Sequence, residues 1–330
     1  MAPELSVVIP IRNEAPSIVE LHRELTETLT AWGHSYELLI VDDGSTDESF
    51  SLLARLQALD PQLRVIRFRR NFGQTAAFAA GFDHARGRII VTSDGDLQND
   101  PRDIPKLIER LDAGHDIVCG WRKVRKDAFL SRRLPSTIAN RLISFATGVH
   151  LHDYGCSLKA FRAEVVKPLK LYGEMHRFLP AIASEQGVSI AEVVVNHRER
   201  RHGRSKYGIG RTIRVVLDLM TVKFLLSYST RPVQIFGLLG FGMGLPGVAI
   251  LAWLTYVKFV NHEAIGNRPL LSLGLLLVLM GVQFVTLGLL AEMQARTYHE
   301  SQNKPTYVIR EILEEPHCVE GSVRSMNLRS

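Results

Sequence analysis

The sequence predicts an α/β fold. A mostly parallel sheet carries helices on both faces, and an amphipathic interface helix and two transmembrane helices follow it. Three observations carry this expectation. From residue 5 to about 120, short runs rich in Val, Ile and Leu alternate with stretches of helical periodicity. Val233 to Val257 and Leu270 to Ala291 contain no charged residue. At about 1.5 Å per residue, each reaches across the roughly 30 Å of a bilayer's hydrocarbon. Between the two regions, basic residues crowd Arg198 to Arg231.

The elements follow in order. Leu5 to Ile11 is a strand that runs into the polar turn Arg12-Asn13-Glu14. Leu21, Leu25, Leu29 and Trp32 then share one helical face. Tyr36 to Val41 is the second strand and stops at Asp42-Asp43-Gly44-Ser45-Thr46-Asp47. Ser45 and Glu48 have capping-box spacing, so Ser45 and Asp47 are expected to cap the next helix. Leu63 to Phe68, Ile89 to Thr92 and Ile117 to Cys119 complete the predicted strands, and Asp100-Pro101 opens the helix between the last two. Ile209 to Ser229 reads as an amphipathic helix, with Arg211, Arg214 and Asp218 on one face, that lies in the membrane interface, packs against the catalytic domain, or does both. Five glycines between Gly237 and Gly247 suit close helix packing and leave room for a homo-oligomer, and Pro246 is expected to kink the first span. Beyond about 314 there is no periodic signal, and a mobile end is expected. The expected domains are 1–208, the juxtamembrane helix 209–231, the two spans 232–292 and a tail 293–330.

Composition limits the partners. The 330 residues allow about two domains, and 46% apolar content supports a large core. The net charge of +6 lies mainly beside the apolar runs, which favours an anionic membrane surface or an anionic substrate. Nucleic acid is not expected, because no binding motif is present and the apolar runs would go unexplained. Cys119, Cys156 and Cys318 have neither metal-ligand spacing nor an even framework, so a reducing compartment is expected. No histidine pair suggests zinc. Met1-Ala-Pro-Glu leads straight into a strand, with no signal-peptide pattern. Positive charge precedes the first span and is sparse between Lys258 and Pro269, which places the amino-terminal domain and the tail on the cytoplasmic side.

The chemistry concentrates at strand ends. The run Ile89 to Thr92 ends in Asp94 and Asp96, carboxylates at i and i+2 that can converge on a hard cation. Open α/β sheets place ligands at this carboxyl edge. The turn after the first strand has no G-x-G-x-x-G; Pro10, Arg12, Asn13 and Glu14 supply charge and hydrogen bonds instead. Asp42 and Asp43 end the next strand at the same edge and can accept from a base NH or a ribose hydroxyl. Gln98 either caps the following helix or joins the metal.

In order and spacing, four motifs resemble the inverting family-two glycosyltransferases of the GT-A fold. They are Val8-Ile-Pro-Ile-Arg-Asn-Glu14, Val41-Asp-Asp-Gly-Ser-Thr-Asp47, Arg70-Asn-Phe-Gly-Gln74 and Asp94-Gly-Asp-Leu-Gln98. The resemblance covers about residues 5 to 210. It implies a nucleotide-sugar donor, UDP-linked, and Mg²⁺ or Mn²⁺ on Asp94, Asp96 and Gln98. Pro10, Arg12, Glu14, Asp43, Asn71, Gly73 and Gln74 are then donor-binding positions. Gly95 stands where Ala is more usual in this branch. Asp153-Tyr-Gly-Cys-Ser-Leu-Lys-Ala-Phe-Arg162 resembles the segment that reaches over sugar and acceptor in the polyprenyl-phosphate branch. His197-Arg-Glu-Arg-Arg-His-Gly-Arg-Ser-Lys-Tyr207 resembles that branch's basic loop. The undecaprenyl-phosphate formamido-arabinose transferases of lipid A modification are the nearest group the chain resembles; bacterial glucosyl transferases with the same lipid acceptor and dolichol-phosphate mannose synthases are more distant. Where many relatives read Phe-Arg, this chain has Leu158-Lys159, which keeps the charge without a bidentate fork.

A polyprenyl phosphate acceptor changes the catalytic requirement. A phosphate monoester has a second pKa of about 6 and is largely dianionic at neutral pH, so it needs no base to become a nucleophile. Charge must instead be neutralised: a cation on Asp94 and Asp96 for the leaving diphosphate, and Arg200, Arg204 and Lys206 for the incoming phosphate. Asp153 is expected to orient substrate, Lys159 to assist a phosphate, and the loop from Arg122 to Arg133 to select the sugar. Cys156 reads as a small filler. Two other functions compete. A processive polysaccharide synthase would carry Q-x-x-R-W and further spans, and neither is present in this sequence. A non-catalytic nucleotide-sugar-binding scaffold would not need both aspartates.

Overall fold

The computed structural model describes residues 2–123, 143–144, 147–171, 175–184, 186–199, 232–266, 268–301 and 306–314. The chain divides into two compact units, Met1–Val215 with Pro305–Ser330, and Val216–Lys304. The expected amphipathic helix, the basic loop beyond Glu199 and the tail beyond Glu314 lie outside the described residues.

Among the described residues the first unit is built on an eight-stranded sheet in the order β7-β5-β6-β4-β1-β2-β3-β8. Strands β1 (Leu5–Ile11), β2 (Tyr36–Asp42), β3 (Leu63–Phe68) and β4 (Ile89–Thr92) form its parallel centre. Leu5, Val7, Val8 and Ile9 are wholly buried. A strand apolar on both sides fits only where helices cover both faces. Helix α1 (Ala15–Trp32) turns Ile18, Leu21, Leu25 and Leu29 inward, at helical spacing. It ends where Gly33 takes a left-handed φ of 82° and its N–H reaches the Leu29 and Thr30 carbonyls. Helices α2 (Ser49–Gln57), α3 (Gln74–His84) and α4 (Ile104–Asp112) complete the alternation, and β5 is Ile117–Trp121.

The expected strands are present, and three more join them. β6 (Lys159–Arg162) runs antiparallel between β4 and β5, and β7 (Ile190–Val194) pairs parallel with β5. Short helices α5 (Ala163–Val166) and α6 (Leu179–Ser184) lie between them in the chain. β8 (Ile309–Leu313) returns after the second apolar helix and pairs antiparallel with β3. It is tied down by Arg64 and Arg86 to Glu314 at 2.9 and 2.8 Å, and by Arg67 to Glu311 at 2.9 Å.

The chain runs from β1 outward through β2 and β3, then crosses back to place β4 on the other side of β1. The order in which the chain adds strands therefore reverses between β1 and β4, which stay parallel. Such a switch point opens a crevice at the carboxyl ends of the two strands. The Pro10 turn follows β1, and the Asp94 turn follows β4.

The second unit is a helix pair, α7 (Pro232–Phe259) and α8 (Pro269–Ser301). Both are long and apolar enough to cross a membrane, over Phe236–Phe259 and Pro269–Ala291. Helix α7 continues through Pro246. The two helices run antiparallel and approach closely at glycine: a Cβ on Gly240 would lie 2.7 Å from the Gly281 carbonyl, and one on Gly247 2.9 Å from that of Gly274. Leu238, Phe241, Leu245, Leu276 and Leu279 face outward and are exposed. An all-round apolar helix pair of this kind suits lipid as solvent.

Candidate active site

Three strand-end turns interlock at the crevice. In the turn after β1, Asn13 takes a left-handed φ of 55°. Asparagine tolerates this conformation because its side chain bonds locally. Its N–H donates to Ser45 Oγ at 3.0 Å, and its Oδ1 accepts from the Thr46 N–H at 2.8 Å. Glu14 N–H donates to Ser49 Oγ at 3.0 Å. This corrects the expected cap. Ser45 is held by Asn13 instead of capping α2, while Asp47 does accept from the Ser49 N–H at 3.0 Å. The hydroxyl serves the neighbouring turn, accepting the Asn13 N–H.

Asp42 and Asp43 are buried at the end of β2. Asp42 Oδ1 accepts from the Ser45 N–H at 3.0 Å. Asp43 accepts from the N–H groups of Phe72 and Gly73 at 2.7 and 3.0 Å, so its carboxylate organises the Asn71–Gln74 loop. Burial pushes its pKa up, against those two bonds. Gly73 has φ 94°, and Asn71 Oδ1 also accepts its N–H at 2.9 Å. The loop delivers Gln74, whose Nε2 donates to Asp94 Oδ1 at 2.8 Å.

Asp94 and Asp96 stand beyond β4. Asp94 is pushed above the usual carboxylate range, first by burial and then by the charge of Asp96; Ser157, Arg122 and Lys159 work against the shift. Two carboxylates share one crevice with incomplete neutralisation. Among the described residues no cluster of three or more His, Cys, Asp or Glu forms a metal cage. A pair that leaves the remaining positions to water and substrate phosphate is the donor set that suits a hard divalent cation. The turn is rigid: Leu97 is buried with φ 63°, and Gln98 N–H donates to Asp96 Oδ1 at 3.1 Å. Gly95 leaves no room for a side chain, since a Cβ would lie 2.7 Å from Ile11 Cγ2. Gln98 does not cap the next helix. Asp100 caps the 3-10 turn Pro101–Asp103 that leads into α4, accepting from the Arg102 N–H at 3.2 Å, while Gln98 Nε2 points to the Arg198 carbonyl at 3.5 Å.

Asp153 is 1% exposed. Arg122, at the end of β5, grips it through Nε at 2.7 Å and Nη2 at 3.0 Å, and the Gly155 N–H adds a third bond at 3.1 Å. Burial works to lower the Arg122 pKa, and the Asp153 hydrogen bonds outweigh it, so the guanidinium is held firmly charged. Lys159 is also buried; its Nζ donates to the Tyr154 carbonyl at 3.4 Å. The Lys159 charge acts on Asp94 from behind, out of solvent. Burial pushes the Cys156 thiol up to about 11, which suits the filler expected.

The structure brings Gln74, Asp94, Asp96, Asp153 and Lys159 to one edge, with Pro10, Arg12, Glu14 and Asp43 on the adjoining turns. Arg200, Arg204 and Lys206 lie outside the described residues. Arg122 and Ser157 fall in segments expected near the sugar, but neither the pairing of Arg122 with Asp153 nor the bond of Ser157 to Asp94 has a local signal. Ser157 Oγ accepts from Asn99 Nδ2 at 2.8 Å, a contact between positions 58 residues apart that the pairing of β4 with β6 makes possible.

Comparison with known proteins agrees with this geometry. The model for glycosyl transferase family 2 matches residues 6–169. A dodecaprenyl-phosphate galacturonate synthase of Rhizobium johnstonii is 48% identical over 316 residues, 94% of each chain. An undecaprenyl-phosphate 4-deoxy-4-formamido-L-arabinose transferase of Shewanella sediminis is 37% identical, covering 94% of this chain and 92% of its own. Among solved structures, glucosyl-3-phosphoglycerate synthase of Mycobacterium tuberculosis, in complex with Mn²⁺, UDP and phosphoglyceric acid, matches with TM-score 0.53 at 20% identity, covering 67% of this chain and 78% of its own. Mannosyl-3-phosphoglycerate synthase of Rubrobacter xylanophilus gives TM-score 0.53 at 14% identity, over 67% and 74%. The last two bear on the fold alone. With relatives matching nearly end to end, and with the strand-end carboxylates in place, the chain belongs to glycosyl transferase family 2: it is a glycosyltransferase of the GT-A fold.

Proposed function

We propose that the protein moves a single sugar, with inversion, from a nucleotide sugar to a polyprenyl phosphate at the cytoplasmic face of a bacterial inner membrane. One observation carries the reading. The turn bearing Asp94 and Asp96 is joined to the start of the basic segment: Asn99 and His197 form a β-bridge, and the Arg198 N–H donates to the Gln98 carbonyl at 2.9 Å. The turn that would hold the cation is thus hydrogen-bonded to the residues that lead into the basic segment, which supports the reading.

The roles follow from charge. Asp94 and Asp96, with Gln98 beside them, would hold Mg²⁺ or Mn²⁺. Such a cation supplies Lewis-acid neutralisation of the leaving diphosphate. Gln74 and Ser157 hold the Asp94 carboxylate in place, and Lys159 offsets its charge. The Pro10–Glu14 turn, Asp43 and the Asn71–Gln74 loop receive the nucleotide. Arg200, Arg204 and Lys206 neutralise the lipid phosphate, whose oxygen attacks the anomeric carbon as the nucleoside diphosphate leaves. Asp153 stays paired to Arg122 and orients the substrates. The apolar pair α7 and α8 anchors the enzyme where its lipid acceptor resides.

The sequence reading favours formamido-arabinose or glucose. The greater identity to the galacturonate synthase shifts the first choice of donor to a UDP-linked uronic acid. The test is incubation of the purified full chain with undecaprenyl phosphate, Mn²⁺ and UDP-galacturonic acid, UDP-formamido-arabinose or UDP-glucose, read by lipid mass. One donor gives a glycosyl-phosphate lipid, and Asp94→Ala gives none. Absence of product with every donor overturns the reading.

A further inference from the structure

Tyr307 packs against the back of the donor loop. Its ring stacks on Phe68 with centroids 5.3 Å apart and planes 14° apart. Phe68 in turn meets Phe72 edge to face at 5.7 Å. Phe72 is the residue whose N–H donates to Asp43, and Arg70 lies over its ring at 4.4 Å. Next to Tyr307, the Val308 carbonyl accepts the Arg69 N–H at 3.1 Å. The Tyr307 hydroxyl donates to Asp83 Oδ2 at 2.7 Å, near the end of the helix that begins at Gln74. Tyr307 is 8% exposed.

Residues 69–74 are therefore held from two sides. Asp43 grips their N–H groups from the sheet, and Tyr307 backs them through the aromatic relay. The hydroxyl of the same tyrosine bonds Asp83, at the end of α3 away from Gln74. We propose that Tyr307, a residue from beyond the second apolar helix, is a positioning residue for the nucleotide end of the donor. It acts through Phe68 and Phe72 and touches no substrate. The inference rests on the reading of Asp43 and the Asn71–Gln74 loop as the nucleotide site. A loop lacking this support binds the nucleotide less tightly, while the acceptor side and the chemical step are unaffected.

The test uses the full chain in detergent and initial rates with the donor and undecaprenyl phosphate varied in turn. Tyr307→Ala raises the donor KM and the inhibition constant of UDP about 3- to 10-fold, the range that loss of one aromatic pair gives. The acceptor KM and kcat at saturating donor stay within about twofold of the starting enzyme. Tyr307→Phe keeps the stack and restores most of the donor affinity. If Tyr307→Ala fails to fold, Tyr307→Leu retains the buried bulk without the ring and carries the same expectation. A donor KM within twofold of the starting enzyme, or equal loss on both substrates, overturns the inference. Failure of the starting enzyme to turn over any donor falls instead on the proposed function.

Discussion

Asp153 and Arg122 form a two-pronged pair, with Nε to Oδ2 at 2.7 Å and Nη2 to Oδ1 at 3.0 Å, in a setting where Asp153 is 1% exposed. Both oxygens of this carboxylate are committed to charge-assisted or backbone bonds, which suits a positioning role. This fits an acceptor that is already ionised. Asp153→Asn leaves a buried guanidinium without its partner, which costs about 3–5 kcal/mol of stability. Its turnover falls, yet the residual activity keeps a pH inflection at about 6, set by the acceptor phosphate. Loss of all chemistry with both substrates still bound would identify Asp153 as a base.

Asp94 supplies a second prediction, through linkage. Its folded-state pKa is raised above the unfolded value of about 3.9. The stabilisation from its proton is fully present below that value and is lost as pH rises through the folded pKa. Above the unfolded value the ionised form of Asp94 is therefore disfavoured in the metal-free protein. Asp94→Asn in EDTA at pH 7.5 melts no lower than the starting protein, while sugar transfer is lost. Mn²⁺ with UDP raises the melting temperature of the starting protein only. A drop of several degrees in the metal-free variant would count against an uncompensated charge.

Gly95 fits because its missing side chain leaves space for Ile11, next to Arg12. Gly95→Ala places a Cβ 2.7 Å from Ile11 Cγ2. Overpacking at such a site costs about 1–3 kcal/mol, measurable by urea unfolding. A variant as stable as its parent would show that the β1 turn yields freely.

Arg198 pairs with Glu24 at 2.6 Å and with Asp100 at 2.7 Å, so its charge is spent on anchoring the basic segment. Arg198→Ala raises the KM for undecaprenyl phosphate and leaves that for the donor unchanged. An equal rise in both would assign Arg198 to the fold as a whole.

Local patterns made much of this legible. Strands β1 to β5 show as apolar runs, α1 as a helical stripe, and both long helices as uncharged stretches. The carboxylates at the end of β4 are readable because ligand edges follow from parallel topology. What escaped depends on distance. β6 inserts between β4 and β5, and nothing near Lys159 announces which strands flank it. β8 reads Ile-Arg-Glu-Ile-Leu, without apolar alternation, and its inward and outward sides are set only when it pairs with β3. Arg122 and Asp153 meet from 31 positions apart. Ser45 had the spacing of a cap and found a nearer donor in Asn13.

The central claim is that the site handles two phosphates, one leaving and one arriving, with no base between them. Transfer to undecaprenyl phosphate compared with transfer to undecaprenol, at saturating donor and Mn²⁺, tests it most directly. The account predicts a glycosylated lipid from the phosphate and none from the alcohol, which lacks both the negative charge for the basic segment and a pre-ionised oxygen. Comparable rates with the two acceptors would contradict it.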